Sequence, residues 1–417
     1  MSKFVINGGK QLGGDIRVSG SKNAVLAIMA ASVLTKEECV LTNVPQIKDV
    51  ESMALILKDL GVSVEAEGTT LRINARKLAS SSPNPELVSK FRGSILLIGP
   101  LLARTGIAEM PFPGGDLIGK RPIDAHVSAL KALGAESSAN GNLNFSVKKF
   151  KGSKVVMEES SVTATENAMM AAVTAQGKTV IKLAAMEPHV QQLGEFLKTM
   201  GADIQGYGTP TISISGVSRL HGASVAIIPD SEQAASLITL AAATKSDVTV
   251  TGLNPDYLED FLVRIRKMNI NFEVGTDFVH VKLPDKDYVG TKIQSGLYPK
   301  LNSDYVPPMA VLATQALGET LIYEWLYENR LGYVAELNKM GANAEILDPH
   351  RVKITGPTKL SGKQIKTYDL RMGMTLVIAA LTASGQSEIS DIHHIDRGYE
   401  NLEERLTSLG ADIKRMD

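Results

Sequence analysis

The sequence predicts a two-domain α/β protein in which one unit of 67 to 73 residues occurs six times, three copies to a domain, around buried helices. Three observations carry this expectation: a helix-closing pattern that recurs at near-constant spacing, six apolar helices that each follow a polar residue, and a glycine signature that recurs ahead of a strand.

The closing pattern is Leu or Met followed by Gly or Asn, at Leu60-Gly61, Leu133-Gly134, Met200-Gly201, Met268-Asn269, Met340-Gly341 and Leu409-Gly410. Gly, and less comfortably Asn, ends helices because it takes the left-handed conformation with little strain. After five of them a polar/apolar alternation resumes, as in Val62-Ser63-Val64-Glu65, and a second alternating run such as Leu71-Arg72-Ile73 follows. Each unit is therefore expected to end in a β-hairpin. The period exceeds the usual ~20 to 50 residues of solenoid repeats, which argues against an open array.

The helices are KNAVLAIMAASVL, RGSILLIGPLLA, TENAMMAAVTA, SEQAASLITLAAA, DYVPPMAVLATQA and RMGMTLVIAALTA. None has a wide charged face, so each is expected inside a domain. A buried helix start leaves N–H groups free and favours anions. The residues at these starts are Lys22 and Asn23, Arg92, Thr165 and Asn167, Asp230 and Ser231, Asp304, and Arg371. The bland reading is helix capping, and for Ser231 and Thr165 it is at least as strong.

Gly-x-x-x-Leu-x-Gly stands at Gly8 to Gly14, Gly216 to Gly222 and Gly356 to Gly362, each time before a strand and a buried helix. The first copy has no helix before it, so the N-terminal strands are expected to complete the sixth unit, which stops at Asp417. The domains expected are 21–229 and 1–20 plus 230–417, with the cleft between them as the default site.

A hydrophobic fraction of 44% is ample for two cores, and 44 Lys+Arg against 45 Asp+Glu give no global push toward nucleic acid or anionic membranes. The single cysteine, Cys39, excludes disulfides and cysteine-based metal sites within one chain and reads as an inert core residue. No ligand spacing of His and carboxylates implies a metal, and no cofactor is called for. Without an N-terminal signal or an apolar span of about 18 residues, a cytoplasmic protein is expected.

One stretch, Pro111 to His126 (PFPGGDLIGKRPIDAH), is too rich in Gly and Pro for a regular element. It offers a carboxylate at Asp116, cations at Lys120 and Arg121, then Asp124 and His126 at the start of a helix-like run. A carboxylic acid beside an anion-binding arginine on glycine hinges suits a lid over an anionic substrate; a solvated surface loop is the alternative.

Taken together, Ser19-Gly20-Ser21-Lys22-Asn23-Ala24, Gly114-Gly115-x-x-Ile118-Gly119-x-Arg121-Pro122, Glu328-Asn329-Arg330, Asp369-Leu370-Arg371 and His394-Ile395-Asp396-Arg397-Gly398-Tyr399-Glu400 resemble the UDP-N-acetylglucosamine enolpyruvyl transferases, collinearly from about Lys3 to Arg415. The resemblance implies the enolpyruvyl transferase fold, a two-domain inside-out α/β barrel with three βαβαββ units per domain. It also implies transfer of the enolpyruvyl group of phosphoenolpyruvate to the 3′-hydroxyl of UDP-N-acetylglucosamine, with phosphate released, as the first committed step of peptidoglycan synthesis. These two small molecules are the partners it implies, and a monomer is the expected state.

By the same resemblance Lys22, Arg121 and Arg397 hold the phosphate, and Arg371 with Arg397 meets the carboxylate. Arg92 lies near the closing loop and is shared by both substrates, while Asn23 fixes the tetrahedral intermediate. Asp116 is the implied general acid and Asp304 the implied general base, although an N-cap role is the plain alternative for Asp304. For the nucleotide sugar the resemblance points to Arg121, Pro122, Ile123, Asp124, Ala125 and His126, with Ser161, Val162 and Thr163 opposite, and to Leu326, Tyr327 and Asp304 around the sugar. Alone, His126 would read as a surface histidine, and Arg330 reads as structural, tying the domains together.

Three departures stand out. Most members carry cysteine where this chain has Asp116, and the usual Lys-x-Ser-Val-Gly reads Glu159-Ser160-Ser161-Val162-Thr163. The fourth unit closes on Asn269. The competing readings are 5-enolpyruvylshikimate 3-phosphate synthase, whose Gly-Asn-Ala-Gly-Thr-Ala motif is not found here, and a non-catalytic nucleotide-sugar-binding paralogue.

Overall fold

A helix that is apolar on every face has no side to give to water. The computed structural model, which describes residues 2–115, 118–120, 122–139 and 142–416, places all six such helices inside. The described residues divide into two units, one built from 20–115, 122–139 and 142–228, the other from 2–19, 118–120 and 229–416. In the first, Lys22–Ala31, Ile98–Thr105 and Val162–Ala172 sit within a single hydrophobic core. In the second, Ser231–Ala243, Val306–Thr314 and Leu370–Thr382 do the same, and Val306–Thr314 is buried at every residue. Cys39 is wholly buried, and burial pushes its thiol up.

Amphipathic helices such as Lys48–Asp59 and Pro188–Thr199 present one buried face, and small sheets complete the layers. The architecture is mixed α/β with six sheets among the described residues, five of four strands and one of three. Five hairpins follow the helix closers: Ser63–Glu67 with Thr70–Asn74, Glu136–Ala139 with Leu143–Ser146, Asp203–Gln205 with Thr211–Ser215, Phe272–Val274 with Phe278–Val281, and Ala344–Asp348 with Arg351–Gly356. At the closers themselves φ is positive throughout, from 88° at Gly61 to 101° at Gly341, with Asn269 at 62°.

The N-terminal strands divide their work, which corrects the expectation that both complete the sixth unit. Lys3–Gly8 does so, antiparallel between Gly385–Ser390 and Asp412–Met416. Gly13–Arg17 instead runs parallel to Asp247–Thr251 of the fourth unit. The reason lies in the glycine signature: the strand after each copy joins a neighbouring sheet in parallel. Ser224–Ala226 pairs with Glu38–Thr42 and Gln364–Lys366 with Gly385–Ser390 in the same way. Parallel pairing needs a crossover between the two strands in place of a tight hairpin.

Candidate functional site

In the unit holding residues 20–228, the first inner helix is capped by Ser21, whose side chain accepts the Ala24 N–H. Its opening turn carries Lys22, with Nζ 3.0 Å from Asn23 Oδ1 and 3.9 Å from Asp49 Oδ2. Asp49 is buried at the start of Lys48–Asp59, and this acidic neighbour was not singled out from the sequence.

Arg92 opens the turn Arg92–Leu97 and donates to the Pro122 carbonyl at 3.3 Å. Gly115 passes against it, with φ +119° and space for a Cβ only 3.0 Å from Arg92 Cβ. Ile123, Asp124 and Ala125 begin the helix Asp124–Ala132, which also carries His126. Far from being a surface histidine, His126 is 1% exposed. Its Nε2 lies 3.0 Å from Thr163 Oγ1 and its Nδ1 lies 3.1 Å from Asn167 Nδ2.

Ser161, Val162 and Thr163 form the start of Val162–Ala172; Ser161 is the N-cap but makes no side-chain cap bond. Thr165 is not the cap either, since its hydroxyl accepts the Ala185 N–H from across the core. For Ser231–Ala243 the cap is Asp230 rather than Ser231. Glu159, the acidic departure from the motif, is exposed. A cavity of about 1650 Å³ lined by Thr35, Arg104, Lys149 and Arg219 lies past the C-terminal ends of Lys22–Ala31, Ile98–Thr105 and Val162–Ala172, away from the starts where the predicted residues gather.

Burial, with the charge of Arg92 second, pushes His126 down to about 3. An unfolded histidine titrates near ~6.5, so below that pH the unfolded chain takes up a proton that the folded chain refuses. The stability tied to neutral His126 is complete above the unfolded value and is lost as pH falls toward the folded one. We expect a slope of up to ~1.4 kcal/mol per pH unit in that window from this residue. Urea titrations from pH 7 to 4 should show it in the wild type and not in His126→Gln; equal slopes would exclude it.

In the other unit, Asp304 lies in the turn Ser303–Tyr305 that leads into Val306–Thr314. Its capping alternative is not what the structure shows, because Asn302 takes that role and accepts the Asp304 N–H at 2.9 Å. The carboxylate is gripped by two guanidinium groups instead. Arg330 bonds Oδ1, and Arg371 Nε donates to Oδ2 at 2.7 Å. Arg330, expected to tie the domains together, thus makes this pairing inside its own unit. Arg371 sits in the first turn of Leu370–Thr382, capped by Asp369. Arg397 ends the turn Ile392–Arg397 and is half-buried.

Leu326 and Tyr327 are held by a residue that the sequence reading missed. Glu324 is fully buried; its Oε1 accepts the N–H groups of Leu326 at 2.8 Å and Tyr327 at 3.3 Å, and its Oε2 accepts the Ser303 hydroxyl at 2.9 Å. It therefore fixes the segment 326–327 relative to the turn that carries Asp304, while the Arg330 guanidinium lies over the Tyr327 ring at 5.7 Å. A buried Glu directly after an alternating strand was the available signal.

Of the predicted lid, Asp116 and Arg121 lie outside the described residues. Residues 118–120 belong with this same unit: Glu328 accepts the Lys120 N–H at 3.0 Å, and the Asn329 N–H donates to the Ile118 carbonyl at 3.2 Å. The Lys120 N–H first, and the residue's own backbone N–H next, hold the Glu328 carboxyl below its ordinary range. Gly119 has φ +155°, and a Cβ there would stand 2.6 Å from Glu328 Oε2. Gly119→Ala should therefore unseat this contact and lower kcat by up to ~100-fold, with the melting temperature unchanged. Wild-type kcat in that variant would show that the seat has no part in turnover.

The fold, with cations and a clamped carboxylate at the starts of inner helices, defines the carboxyvinyl (enolpyruvyl) transferase class. The model of the EPSP synthase (3-phosphoshikimate 1-carboxyvinyltransferase) family matches residues 6–406. The chain is 40% identical to the UDP-N-acetylglucosamine 1-carboxyvinyltransferase of Borreliella burgdorferi, over 100% of the chain and 99% of that protein. It is 42% identical to UDP-N-acetylglucosamine 1-carboxyvinyltransferase 3 of Caldanaerobacter subterraneus, with both chains fully covered. The solved enolpyruvyl transferase NikO from Streptomyces tendae superposes with a TM-score of 0.90 at 23% identity, covering 100% of this chain and 99% of that one, which speaks to the fold. The chain belongs to this carboxyvinyltransferase family, and its relatives at about 40% identity carry the UDP-N-acetylglucosamine name over their full length.

Proposed function

We propose that the chain transfers the enolpyruvyl group of phosphoenolpyruvate to the 3′-hydroxyl of UDP-N-acetylglucosamine and releases phosphate, the step that commits the sugar to peptidoglycan. The observation that carries this reading is full-length identity of 40 to 42% to enzymes named for that reaction.

The chemistry is an addition followed by an elimination. A proton joins C3 of phosphoenolpyruvate, the sugar oxygen bonds to C2 as its own proton leaves, and a tetrahedral phosphate ketal forms. Loss of a proton from C3 and of phosphate from C2 then restores the double bond. In this reading Asp116 delivers the proton to C3 and Asp304 receives the hydroxyl proton. Lys22, Arg121 and Arg397 hold the phosphate, Arg371 and Arg397 the carboxylate, and Asn23 the ketal, with Arg92 near both substrates. Arg121, Pro122, Ile123, Asp124, Ala125, His126, Ser161, Val162 and Thr163 take the uridine diphosphate. Leu326 and Tyr327 cover the sugar. The partners are the two small molecules alone, acting on a cytoplasmic monomer.

The family description favours a second reading, 3-phosphoshikimate as acceptor. Against it, Lys22 is followed by Asn23 rather than Ser, and the full-length relatives carry the other name. Phosphate release from phosphoenolpyruvate, measured with each acceptor separately, decides. Release with UDP-N-acetylglucosamine only is expected; release with shikimate 3-phosphate only selects the second reading, and release with neither overturns both.

A further inference from the structure

Buried hydrogen bonds leave one tautomer open to His126. The Gly99 N–H donates to Asn167 Oδ1 at 2.7 Å, which fixes which end of that amide is oxygen. Gly99 has no Cβ, and one there would stand 2.6 Å from the Asn167 carbonyl, so the approach depends on glycine. The amide nitrogen of Asn167 then faces the Ile95 carbonyl at 3.0 Å, the Thr163 carbonyl at 3.2 Å and His126 Nδ1 at 3.1 Å. An amide NH₂ has two hydrogens for these three partners and no lone pair to offer, so a protonated Nδ1 would face it donor to donor. Nδ1 must therefore accept, and the single proton of a neutral imidazole sits on Nε2. The ring is neutral, because burial, with the Arg92 charge second, holds it down to about 3.

That proton has one partner at bonding distance, Thr163 Oγ1 at 3.0 Å. The threonine oxygen thus accepts, and its own hydrogen is free for another acceptor. Among the described residues no acceptor for it is found. Thr163 is only half-buried, in the first turn of a helix whose cap residue makes no side-chain bond to that turn.

We propose that Asn167 and His126 are positioning residues that hold the Thr163 hydroxyl as a dedicated hydrogen-bond donor to the diphosphate of the nucleotide sugar. The assignment rests on the functional reading above for the identity of the ligand, and on the hydrogen-bond directions alone for the direction of donation. With one of its two lone pairs taken by His126, the Thr163 hydroxyl has its hydrogen turned away from the ring and available to donate. A diphosphate oxygen, which only accepts, can take that hydrogen.

The test compares Thr163→Val, which keeps the shape and loses the hydroxyl, with Thr163→Ser, which keeps it. Calorimetry with UDP and with uridine as separate probes reads binding without requiring turnover. Thr163→Val is expected to weaken UDP about tenfold, leave uridine unchanged, and raise the KM for UDP-N-acetylglucosamine in proportion while kcat and the KM for phosphoenolpyruvate hold. Thr163→Ser should track the wild type. Nitrogen-15 spectra of His126 should show the proton on Nε2, with or without UDP, from pH 5 to 8. Unchanged UDP affinity in Thr163→Val, an equal loss for uridine, no UDP binding by the wild type, or a proton on Nδ1 each overturns the proposal. A wild type that binds UDP but transfers nothing to UDP-N-acetylglucosamine defeats the functional reading and leaves this one standing.

Discussion

Asp304→Ala is expected to stop turnover and to destabilise the unit that carries it. Two guanidinium groups converge on this carboxylate, and their side chains are only 3% and 7% exposed at Arg330 and Arg371. Removing the shared anion strands both cations in the interior, where breaking such a pair costs ~3–5 kcal/mol. Arg330 is the more exposed to that loss in energy terms, because its Nε already has no hydrogen-bond partner among the described residues. The catalytic effect must be read apart from the structural one. Asp304→Asn keeps the size of the side chain and one of the two acceptor oxygens the guanidinium groups use, while removing its charge and its ability to take a proton. Measured well below its melting temperature, that variant should lose ~10²- to 10⁴-fold in kcat. Wild-type turnover in Asp304→Asn would remove Asp304 from the proton transfer, and unchanged urea stability in Asp304→Ala would show that the clamp contributes nothing to folding.

The repeat was legible because its punctuation is local. A helix that ends on a left-handed residue announces itself within two positions, and all six closers adopt that conformation, Asn269 included. The inner helices were legible for a similar reason, since absence of a polar face is a property of one segment. Sheet membership was less so. Gly13–Arg17 looks like any other short strand, and its partner 234 residues away, from Asp247 opposite Gly13, is set by the parallel crossover rather than by its own composition. The glycine signature held the clue, because its other two copies also lead into strands that pair in parallel.

At the candidate site, residue types could be read at the helix starts, but their partners could not. Thr165 and Ser231 suit an N-cap by type, yet Thr165 receives an N–H from Ala185 and Asp230 does the capping for its neighbour. Asp304 shows the same limit: a carboxylate at a helix start predicts a cap, and only the fold brings Arg330 and Arg371 to its two oxygens. Asn167 acts through the Ile95 carbonyl, the Gly99 N–H and the His126 ring, groups of other segments that no local pattern encodes. Glu166 is a further case, fully buried on the inner helix Val162–Ala172, where burial and the charge of Glu187 raise its carboxyl well above the usual range. The run TENAMMAA marks its helix as an inner one, but not the Glu187 neighbour that acts on this carboxyl.

Asp116→Asn is expected to abolish turnover while nucleotide-sugar binding survives. The reaction needs a proton delivered to carbon, and an amide at neutral pH has none to deliver; the loss expected for a missing general acid is ~10²- to 10⁴-fold in kcat. An ordinary Asp titrates near ~3.9 and would be ionised when the substrate arrives, so the proposed acid role requires a pKa raised by burial or by the bound anions. Like charge from a phosphate and a carboxylate acts in that direction, which makes the proton available only once phosphoenolpyruvate is in place. Two consequences follow. The rate should fall as pH rises through the raised value, and that limb should vanish in Asp116→Asn. A thiol-alkylating epoxide should leave the wild type active, because a carboxylate is the weaker nucleophile and Cys39 is wholly buried, yet inactivate Asp116→Cys. Full activity of Asp116→Asn would place the acid elsewhere, and an epoxide adduct on Asp116 of the wild type would contradict the nucleophilicity argument directly.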